Sequence, residues 1–333
     1  MNRPNRPAPP HSVLSVIRVN LRPSAAKFLL PLLLLLAALP LPAQRTVAIT
    51  IDDLPFAGSG HPLPAAQQAT ARILDALKQA RVPAIGFVNE SKVHIPGERD
   101  ARTALLQQWI DSGLTLGNHT FSHDDLNKTP LVQFQDDTLH GEVLWRPMME
   151  KAGHHERWFR HPFLHTGADP VKRAAFERFL ESRGYRIAPV TLEHSDWWFA
   201  SLYDRLIARG DQTNAAKLPA ASLDYLDTML DYHEALTRKL FGRDIAHVFL
   251  MHANTINSLI LPEILERFRR RGYQFVPLAK ALEDPAYQTE DRYHAPQGPV
   301  WLHHWSIALG HETGPQHEPD LPKWLLELDK ATR

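Results

Sequence analysis

The amino-acid sequence predicts an α/β fold in which a parallel β-sheet is wrapped by helices. Between residue 44 and about residue 282, short apolar runs alternate with longer segments of helical periodicity, which is the pattern of strand and helix repeats. Hydrophobic residues make up 44% and charged residues 22% of the 333 residues, so the chain can bury a sizeable core. One α/β barrel of about 250 residues fits this length as well as two smaller domains do.

Seven of the apolar runs are short enough to predict strands. They cover residues 47–51, 84–88, 114–117, 158–160, 186–190, 248–251 and 274–276. Helical apolar spacing between the runs predicts helices. These cover residues 65–80, 102–112, 132–151, 170–183, 223–240 and 259–271. Residues 193–216 are irregular, aromatic and long for a connection, and we expect either a functional loop or a pair of short helices there.

Residues 1–43 resemble an export signal. Five bases and no acids precede the apolar run 28–43, which ends in small residues. This run contains three prolines and 16 residues, whereas a spanning helix needs about 20. We therefore expect cleavage after Ala43 and a periplasmic or secreted protein without a stable membrane span. An uncleaved N-terminal anchor is the alternative.

Residues 44–282 are predicted to form the main domain, and residues 283–333 an extension packed on it. The extension is rich in turn formers, histidine and tryptophan, and about 50 residues without cysteine rarely fold alone. Four of its histidines are expected on the surface, and contact with the substrate groove is the alternative: His303, His304, His311 and His317. After residue 43 the acids outnumber the bases by five, which disfavours a nucleic-acid partner. The absence of cysteine excludes disulfides, thiolate metal sites and a cysteine nucleophile.

Ionisable residues follow several predicted strands near the point where each strand ends. In a βα barrel the C-terminal strand ends converge on one face, where active sites are built from several strands at once. The residues that could meet there are Asp52, Asp53, His119, His123, Arg160, Asp196 and His252.

A metal site is one interpretation of the first four of these residues. His119 and His123 are four residues apart, which on a helix puts both imidazoles on one face, where they can chelate one ion. Asp52 and Asp53 can both turn toward one site where the pleat of the strand ends, so one can bind the metal while the other takes a proton from water. Local hydrogen bonds for the histidines and a cap or turn for the acidic pair are the alternatives.

Three further residues fit the same site. Arg160 can hold a carboxylate ionised through charge-assisted hydrogen bonds, and His252 can donate a proton to a leaving group. Asp196 can orient such a histidine, and the adjacent Trp197 and Trp198 can wall a small pocket. An exposed arginine, a core histidine and tryptophans that only pack are the alternatives.

Five motifs, in chain order, resemble those of the polysaccharide deacetylases with a NodB-homology domain, which form carbohydrate esterase family four. They are TIDD at 50–53, HTFSH at 119–123, RHPF at 160–163, EHSDW at 193–197 and LMH at 250–252. The corresponding family motifs are TFDD, H(S/T)xxH, RxPY, DxxDW and LxH. The resemblance implies a distorted, incomplete (β/α)7 barrel that carries out metal-dependent hydrolysis.

The first three motifs imply the metal ligands and the base. By resemblance, Asp53, His119 and His123 would bind the metal. Asp52 would be the general base, and Arg160 would orient it.

The remaining implied roles concern the substrate and the acid. The backbone N–H of Phe163 would help to bind the oxyanion, and Trp197 and Leu250 would line the acetyl pocket. His252 would be the general acid, with Asp196 as its partner.

Three positions depart from the family motifs. Leu54 replaces a glycine, Phe163 a tyrosine and Glu193 an aspartate. A backbone N–H donor tolerates the change from tyrosine to phenylalanine. Leu54 is expected to reshape the floor of the substrate groove, which disfavours a long polymer.

The sequence thus predicts an exported, metal-dependent hydrolase that removes N-acetyl groups from a sugar or polysaccharide such as a chitooligosaccharide or peptidoglycan. The bond that it would cleave is an amide C–N bond but not a peptide bond. The expected ion is Zn²⁺, with Co²⁺, Ni²⁺ or Mn²⁺ as substitutes. An O-acetyl glycan esterase or a small-molecule C–N amidohydrolase would use the same residues. A non-catalytic glycan-binding protein is the rival from another class.

Overall fold

The computed structural model describes residues 45–57, 62–311 and 314–333. The expected export signal at residues 1–43 lies outside these ranges. None of the helices within them has the length and apolar character that crossing a membrane requires.

The described residues contain one sheet of seven strands, and every pairing in it is parallel. The strands are β1 (Thr46–Leu54), β2 (Ala84–Val88), β3 (Thr115–Asn118), β4 (Arg157–Phe159), β5 (Tyr185–Ile187), β6 (His247–His252) and β7 (Gln274–Phe275). Their order is β5-β4-β3-β2-β1-β6, and β7 pairs with the start of β1. All seven predicted strands are confirmed.

The sheet curves into an incomplete barrel. Its end strands, β5 and β6, are joined only through the segment that follows β5, where Leu192 forms a single bridge with Phe249. The backbone N–H of Leu250 donates to the carbonyl of Leu192 at 2.9 Å. Together with the short β4, β5 and β7, this closure confirms the distorted, incomplete (β/α)7 barrel.

Helices surround the sheet. Each of the six segments predicted to be helical contains at least one helix. The helices are α1 (Leu63–Ala80), α2 (Arg99–Asp111), α3 (Leu131–His140), α4 (Trp145–Lys151), α5 (Pro170–Ser182), α6 (Asp196–Ala208), α7 (Gln212–Ala215), α8 (Leu218–Phe241), α9 (Thr255–Arg270), α10 (Leu278–Ala281), α11 (Trp301–Ala308) and α12 (Lys323–Thr332). Short 3₁₀ turns cover Glu90–Lys92, Pro162–Leu164, Pro285–Gln288 and Pro315–His317. The irregular region 193–216 contains two helices, α6 and α7, but α6 has 13 residues and is not short.

The single helix predicted at 132–151 is wrong, because α3 and α4 are separate. The first helix ends before Gly141, where the backbone passes close to another segment: a Cβ added at Gly141 would lie 2.5 Å from the backbone of Thr120. The Glu90 carboxylate accepts from the backbone N–H of Leu144 at 2.6 Å and of Trp145 at 3.0 Å, which satisfies donors at the start of α4. A tertiary contact therefore starts a new helix inside a continuous helical pattern.

The central strands β1 and β6 are mostly apolar in sequence, and both of their faces are buried. On one face, Ile49 of β1 and Met251 of β6 lie in the largest buried cluster, with side chains of α1, α2 and α9. On the other, Phe87 of β2 and Val248 of β6 fill the barrel interior. This packing holds the carboxyl ends of β1 and β6 side by side.

The extension buries aromatic side chains against the main domain. Trp301 and Trp305 of α11 share a buried cluster with Val190 and Leu250. The expected surface position is wrong for two of the four extension histidines, since His303 is 1% and His304 0% exposed. His317 is exposed and His311 partly so.

Two carboxylates explain the burial of these histidines. His303 Nε2 lies 2.9 Å from Glu318 Oε1, and His304 Nδ1 lies 2.8 Å from Asp291 Oδ2. A buried imidazole needs such a partner, and the sequence places both carboxylates within 15 residues of the histidines.

Candidate active site

The acidic pair lies at the carboxyl end of β1. Asp53 has φ 72°, so the regular alternation of the strand is lost at this residue. As a result both carboxylates approach one imidazole: His119 Nε2 is 3.7 Å from Asp52 Oδ2 and 3.9 Å from Asp53 Oδ1. This is the turn toward one site that the sequence predicts.

His119 and His123 do not lie on a helix, so the helical spacing argument is wrong. His119 directly follows β3, and the loop after it turns sharply because Thr120 and His123 have φ near 60°. Thr120 Oγ1 accepts from the His123 backbone N–H at 3.0 Å. The loop nevertheless brings the two imidazole rings to 4.8 Å between centroids.

Asp53, His119 and His123 fit a metal ion. One ligand atom of each lies within 4.8 Å of the others, and His123 Nε2 is 3.6 Å from Asp53 Oδ1. His119 Nδ1 lies 2.8 Å from the Arg160 carbonyl and therefore carries the proton, which leaves Nε2 as a lone-pair donor. Two neutral imidazoles and one carboxylate form a ligand set that zinc accepts.

The charges at these residues agree with metal binding. Burial lowers the pKa of His119 well below its usual value and also lowers that of His123, so both rings are neutral. Burial opposes ionisation of Asp53, but the Lys92 ammonium, 2.9 Å from Asp53 Oδ1, and the nearby imidazoles hold its pKa well below the usual range. The carboxylate is therefore available as an anionic ligand.

Asp52 is buried beside a fixed cation. Its side chain is 2% exposed, and Arg160 Nη1 lies 3.4 Å from Asp52 Oδ2. Arg160 is itself buried, and its Nη2 donates to Thr50 Oγ1 at 3.0 Å, which fixes the guanidinium. Burial raises the pKa of Asp52 to about 6, against the opposing charge of Arg160, so the carboxylate can both take and release a proton near neutral pH.

His252 lies between Asp52 and a buried carboxylate. It is the register partner of Asp52 in the pairing of β1 with β6, so the two residues lie side by side. His252 Nδ1 lies 2.9 Å from Asp196 Oδ1, which leaves Nε2 for a substrate. Although burial alone would lower it, the Asp196 carboxylate raises the pKa of His252 to about 9. His252 is therefore protonated at neutral pH.

Asp196 is buried at the first turn of α6 and is held by several donors. Its Oδ2 accepts from the backbone N–H of His252 at 2.8 Å and from Asn254 Nδ2 at 3.1 Å, and also from Asn257 Nδ2. Burial opposes ionisation, but His252 and these hydrogen bonds keep the pKa of Asp196 well below its usual range. The carboxylate is a fixed anion behind the imidazole.

A cavity of about 850 Å³ connects these groups. Phe163, Trp197 and Leu250 all line it. Phe163 and Trp197 are 52% and 59% exposed, so their faces are available to a ligand, whereas Leu250 is almost buried. The lining also includes Asp52, Asp53, His119, His123 and His252.

Leu54 does not reshape the floor of this cavity, and that expectation is wrong. Its side chain is fully buried in the core against Gly86, where an added Cβ would lie 2.1 Å from Leu54 Cδ1. The cavity is instead narrowed by the extension, which contributes residues 297–300, Pro315 and Glu318. An added Cβ on Gly298 would lie 1.9 Å from the Phe163 carbonyl oxygen, so the extension packs directly on the third motif.

Sequence reasoning missed several residues that support the site. Lys92 pairs with Asp53, Asn89 donates to the carbonyl of His119 at 2.5 Å, and Asn257 holds Asp196. Asn89 follows β2 directly, so the search for polar residues at strand ends could have found it. Lys92 lies in a 3₁₀ turn and Asn257 in the helix α9, and no sequence pattern at either position indicates a role in the site.

Comparison with known proteins gives the same family as the motifs. Residues 41–177 match the family described as Polysaccharide deacetylase. A curated relative, the bifunctional xylanase/deacetylase of Pseudobutyrivibrio xylanivorans, is 20% identical over 242 residues, which are 72% of this chain. The match covers 31% of the relative, so the chain spans about a third of its length.

Similar solved structures include peptidoglycan deacetylase PdaC and the family 4 carbohydrate esterase PdaA, both from Bacillus subtilis. PdaC is 18% identical, with a TM-score of 0.45, and the match covers 73% of this chain and 92% of PdaC. PdaA is also 18% identical, with a TM-score of 0.43, and the match covers 74% of this chain and 82% of PdaA. A CE4 family pseudoenzyme from Bacillus anthracis is 16% identical, with a TM-score of 0.47 and 73% and 66% coverage. The matched segment, residues 41–177, contains the first three motifs and agrees with the resemblance to the polysaccharide deacetylases.

Proposed function

We propose that this protein hydrolyses N-acetyl groups of a sugar or short oligosaccharide with the help of a divalent metal ion, Zn²⁺ being the expected one. The observation that carries the proposal is the pairing of a base with an acid beside a metal-ligand cluster. Asp52 and His252 are register partners, each is held by a buried ion of opposite charge, and both line one cavity with Asp53, His119 and His123.

Asp53, His119 and His123 would hold the metal. The ion would polarise the acetyl carbonyl and lower the pKa of an attacking water. Asp52 would take the proton of that water, and Arg160 would keep the Asp52 carboxylate oriented during the transfer. The backbone N–H of Phe163 would donate to the developing oxyanion.

His252 would then protonate the leaving amine. Its Nδ1 is engaged by Asp196, so the transferable proton is on Nε2. A pKa of about 9 keeps this proton in place at neutral pH, and the fixed Asp196 carboxylate stabilises the imidazolium until the proton leaves. Trp197 and Leu250 would enclose the acetyl methyl group.

The shape of the cavity favours a small or terminal substrate over the middle of a long polymer. A volume of about 850 Å³ lies in the range of pockets that enclose a small ligand. Residues 297–300 of the extension close one part of the wall, next to Phe163. N-acetylglucosamine oligomers and peptidoglycan fragments are therefore the first substrates to test, with acetylated xylan for the O-acetyl alternative.

The test is acetate release by the mature chain, residues 44–333, with added Zn²⁺ and after chelation. We expect release that is lost with chelator and that falls by at least about 100-fold in Asp52→Asn, which removes the base but no metal ligand. Asp224→Asn, on the exposed face of α8, is the control and should keep full activity. An Asp52→Asn enzyme with undiminished activity would exclude the role of Asp52. Glycan binding without acetate release would favour the non-catalytic alternative.

Export remains part of the proposal. The basic and apolar segment at 1–43 supports it, with the catalytic domain at 44–282 and the extension at 283–333. N-terminal sequencing of the protein recovered from the periplasm or the medium tests it. We expect a chain that begins at Gln44, whereas an intact N-terminus in a membrane fraction would indicate an anchor.

A further inference from the structure

A second group of metal-ligand side chains is present besides the one at the acidic pair. It comprises His233, His303 and Glu318, and one donor atom of each lies within 4.8 Å of the others. His233 is on α8, His303 is on α11, and Glu318 follows the 3₁₀ turn Pro315–His317. The group therefore joins the main domain to two separate parts of the extension. None of these residues belongs to the five motifs.

The spacing of the donor atoms suits a small divalent ion. His303 Nε2 lies 2.9 Å and His233 Nε2 3.8 Å from Glu318 Oε1. A tetrahedral zinc with bonds of about 2.0–2.1 Å holds its ligand atoms about 3.3 Å apart. The two observed distances bracket this value, so small side-chain shifts would complete the geometry.

The imidazole of His233 is the second observation that points to a ligand. Its side chain is 0% exposed, and within the described part of the chain neither ring nitrogen has a hydrogen-bond partner. Buried polar atoms without partners are rare in folded proteins because they lose water without any replacement. His303 is equally buried, and its Nδ1 also lacks a partner there. A bound ion would engage the free Nε2 of His233.

We propose that His233, His303 and Glu318 bind a second divalent transition-metal ion. Two imidazoles and one carboxylate form a set that zinc uses in proteins, and three protein ligands leave a fourth position for water or another group. His303 would bind the ion through Nε2, which now lies 2.9 Å from Glu318 Oε1, and would carry its ring proton on Nδ1. The ion would tie the extension to α8.

The position of Glu318 connects this second site to the first. Glu318 lines the same cavity as Asp52 and His252, next to residues of the extension that narrow it. An ion at Glu318 would place positive charge close to the cavity wall and hold that wall in position. The second site is therefore a structural clamp on the part of the cavity that the extension supplies.

Zinc content tests the proposal without any assay of activity. The mature chain is loaded with ZnCl₂, freed of excess metal and analysed by inductively coupled plasma mass spectrometry. We expect two zinc ions per chain in the wild type and one in Glu318→Gln, whose amide keeps the shape and can still accept from His303. His317→Ala, an exposed neighbour of Glu318, is the matched control and should retain two ions.

A second measurement covers the case in which a variant folds poorly. In the double variant His119→Ala/His123→Ala, the first ligand set is destroyed, so any remaining zinc binding belongs to the second site. We expect one zinc per chain and an increase in Tm with added ZnCl₂, because a ligand that binds only the folded state stabilises it. Adding Glu318→Gln to this variant should abolish both effects.

The same zinc counts can also contradict the second site. One zinc per wild-type chain and none in the double variant would show that His233, His303 and Glu318 hold no ion. That result would leave the proposed deacetylase intact, since its metal would still be counted. If the wild-type chain bound two zinc ions but released no acetate, that result would contradict the proposed function and not the second site.

Discussion

The link between Asp196 and His252 allows a quantitative prediction. A hydrogen bond to a charged group is worth about 1.5–3 kcal/mol, and one pKa unit corresponds to about 1.36 kcal/mol. Replacing the carboxylate in Asp196→Asn should therefore lower the pKa of His252 by about 1–2 units from its value of about 9. His252 must be protonated to act as the acid, so activity at high pH should decline from about pH 7–8 in the variant.

The measurement is a proton NMR titration of the metal-free protein. The protein has 19 histidines, and His252→Gln identifies the resonance of interest by its disappearance. The pH profile of acetate release by the zinc-loaded enzyme gives a second, independent value. Asp224→Asn is the control for the loss of a remote carboxylate. If Asp196→Asn moves the pKa of His252 by less than about 0.5 unit, Asp196 does not set the charge of that imidazole.

Three further predictions concern the walls and supports of the site. Arg160→Gln should destabilise the protein by about 3–5 kcal/mol in denaturant unfolding, because Asp52 is left buried without its cation. It should also raise the pKa of Asp52, and since the base must be ionised, the acidic limb of kcat/KM should move to higher pH. A failure of that limb to move would exclude Arg160 from orienting the base. Gly298→Ala should cost about 1–3 kcal/mol of stability and lower kcat, because the new Cβ would meet the Phe163 carbonyl at 1.9 Å; unchanged unfolding would refute that contact. Trp197→Ala should leave stability within about 0.5 kcal/mol, since the indole is 59% exposed, and should raise KM; an unchanged KM would remove Trp197 from the substrate site.

Most of the fold could be predicted because its signals are local. The strands of a parallel sheet are buried on both faces and read as continuous apolar runs, and seven such runs identify all seven strands. The break between α3 and α4 could not be predicted in this way. It depends on Glu90, which is more than 50 residues away in sequence and binds the first N–H groups of α4.

The candidate site was predictable in its members but not in its geometry. Strand ends and motif order point to Asp52, Asp53, His119 and His252 without any coordinates. The expected helical face for His119 and His123 was wrong because left-handed backbone conformations, which no spacing rule detects, set the direction of the imidazoles. The effect expected of Leu54 was wrong for a similar reason, since its neighbour Gly86 lets the side chain enter the core.

The sequence by itself determined the fold class, the order of the strands along the chain, the motifs and the members of the candidate site, because each of these depends on residue type and short spacing. Only the tertiary structure decided which groups meet. It brought Asp52 beside His252 through strand register, Lys92 to Asp53 through a turn, and Glu318 to two buried histidines through the packing of the extension. These contacts join residues that are distant in sequence, and they depend on how whole elements pack, which no local pattern records.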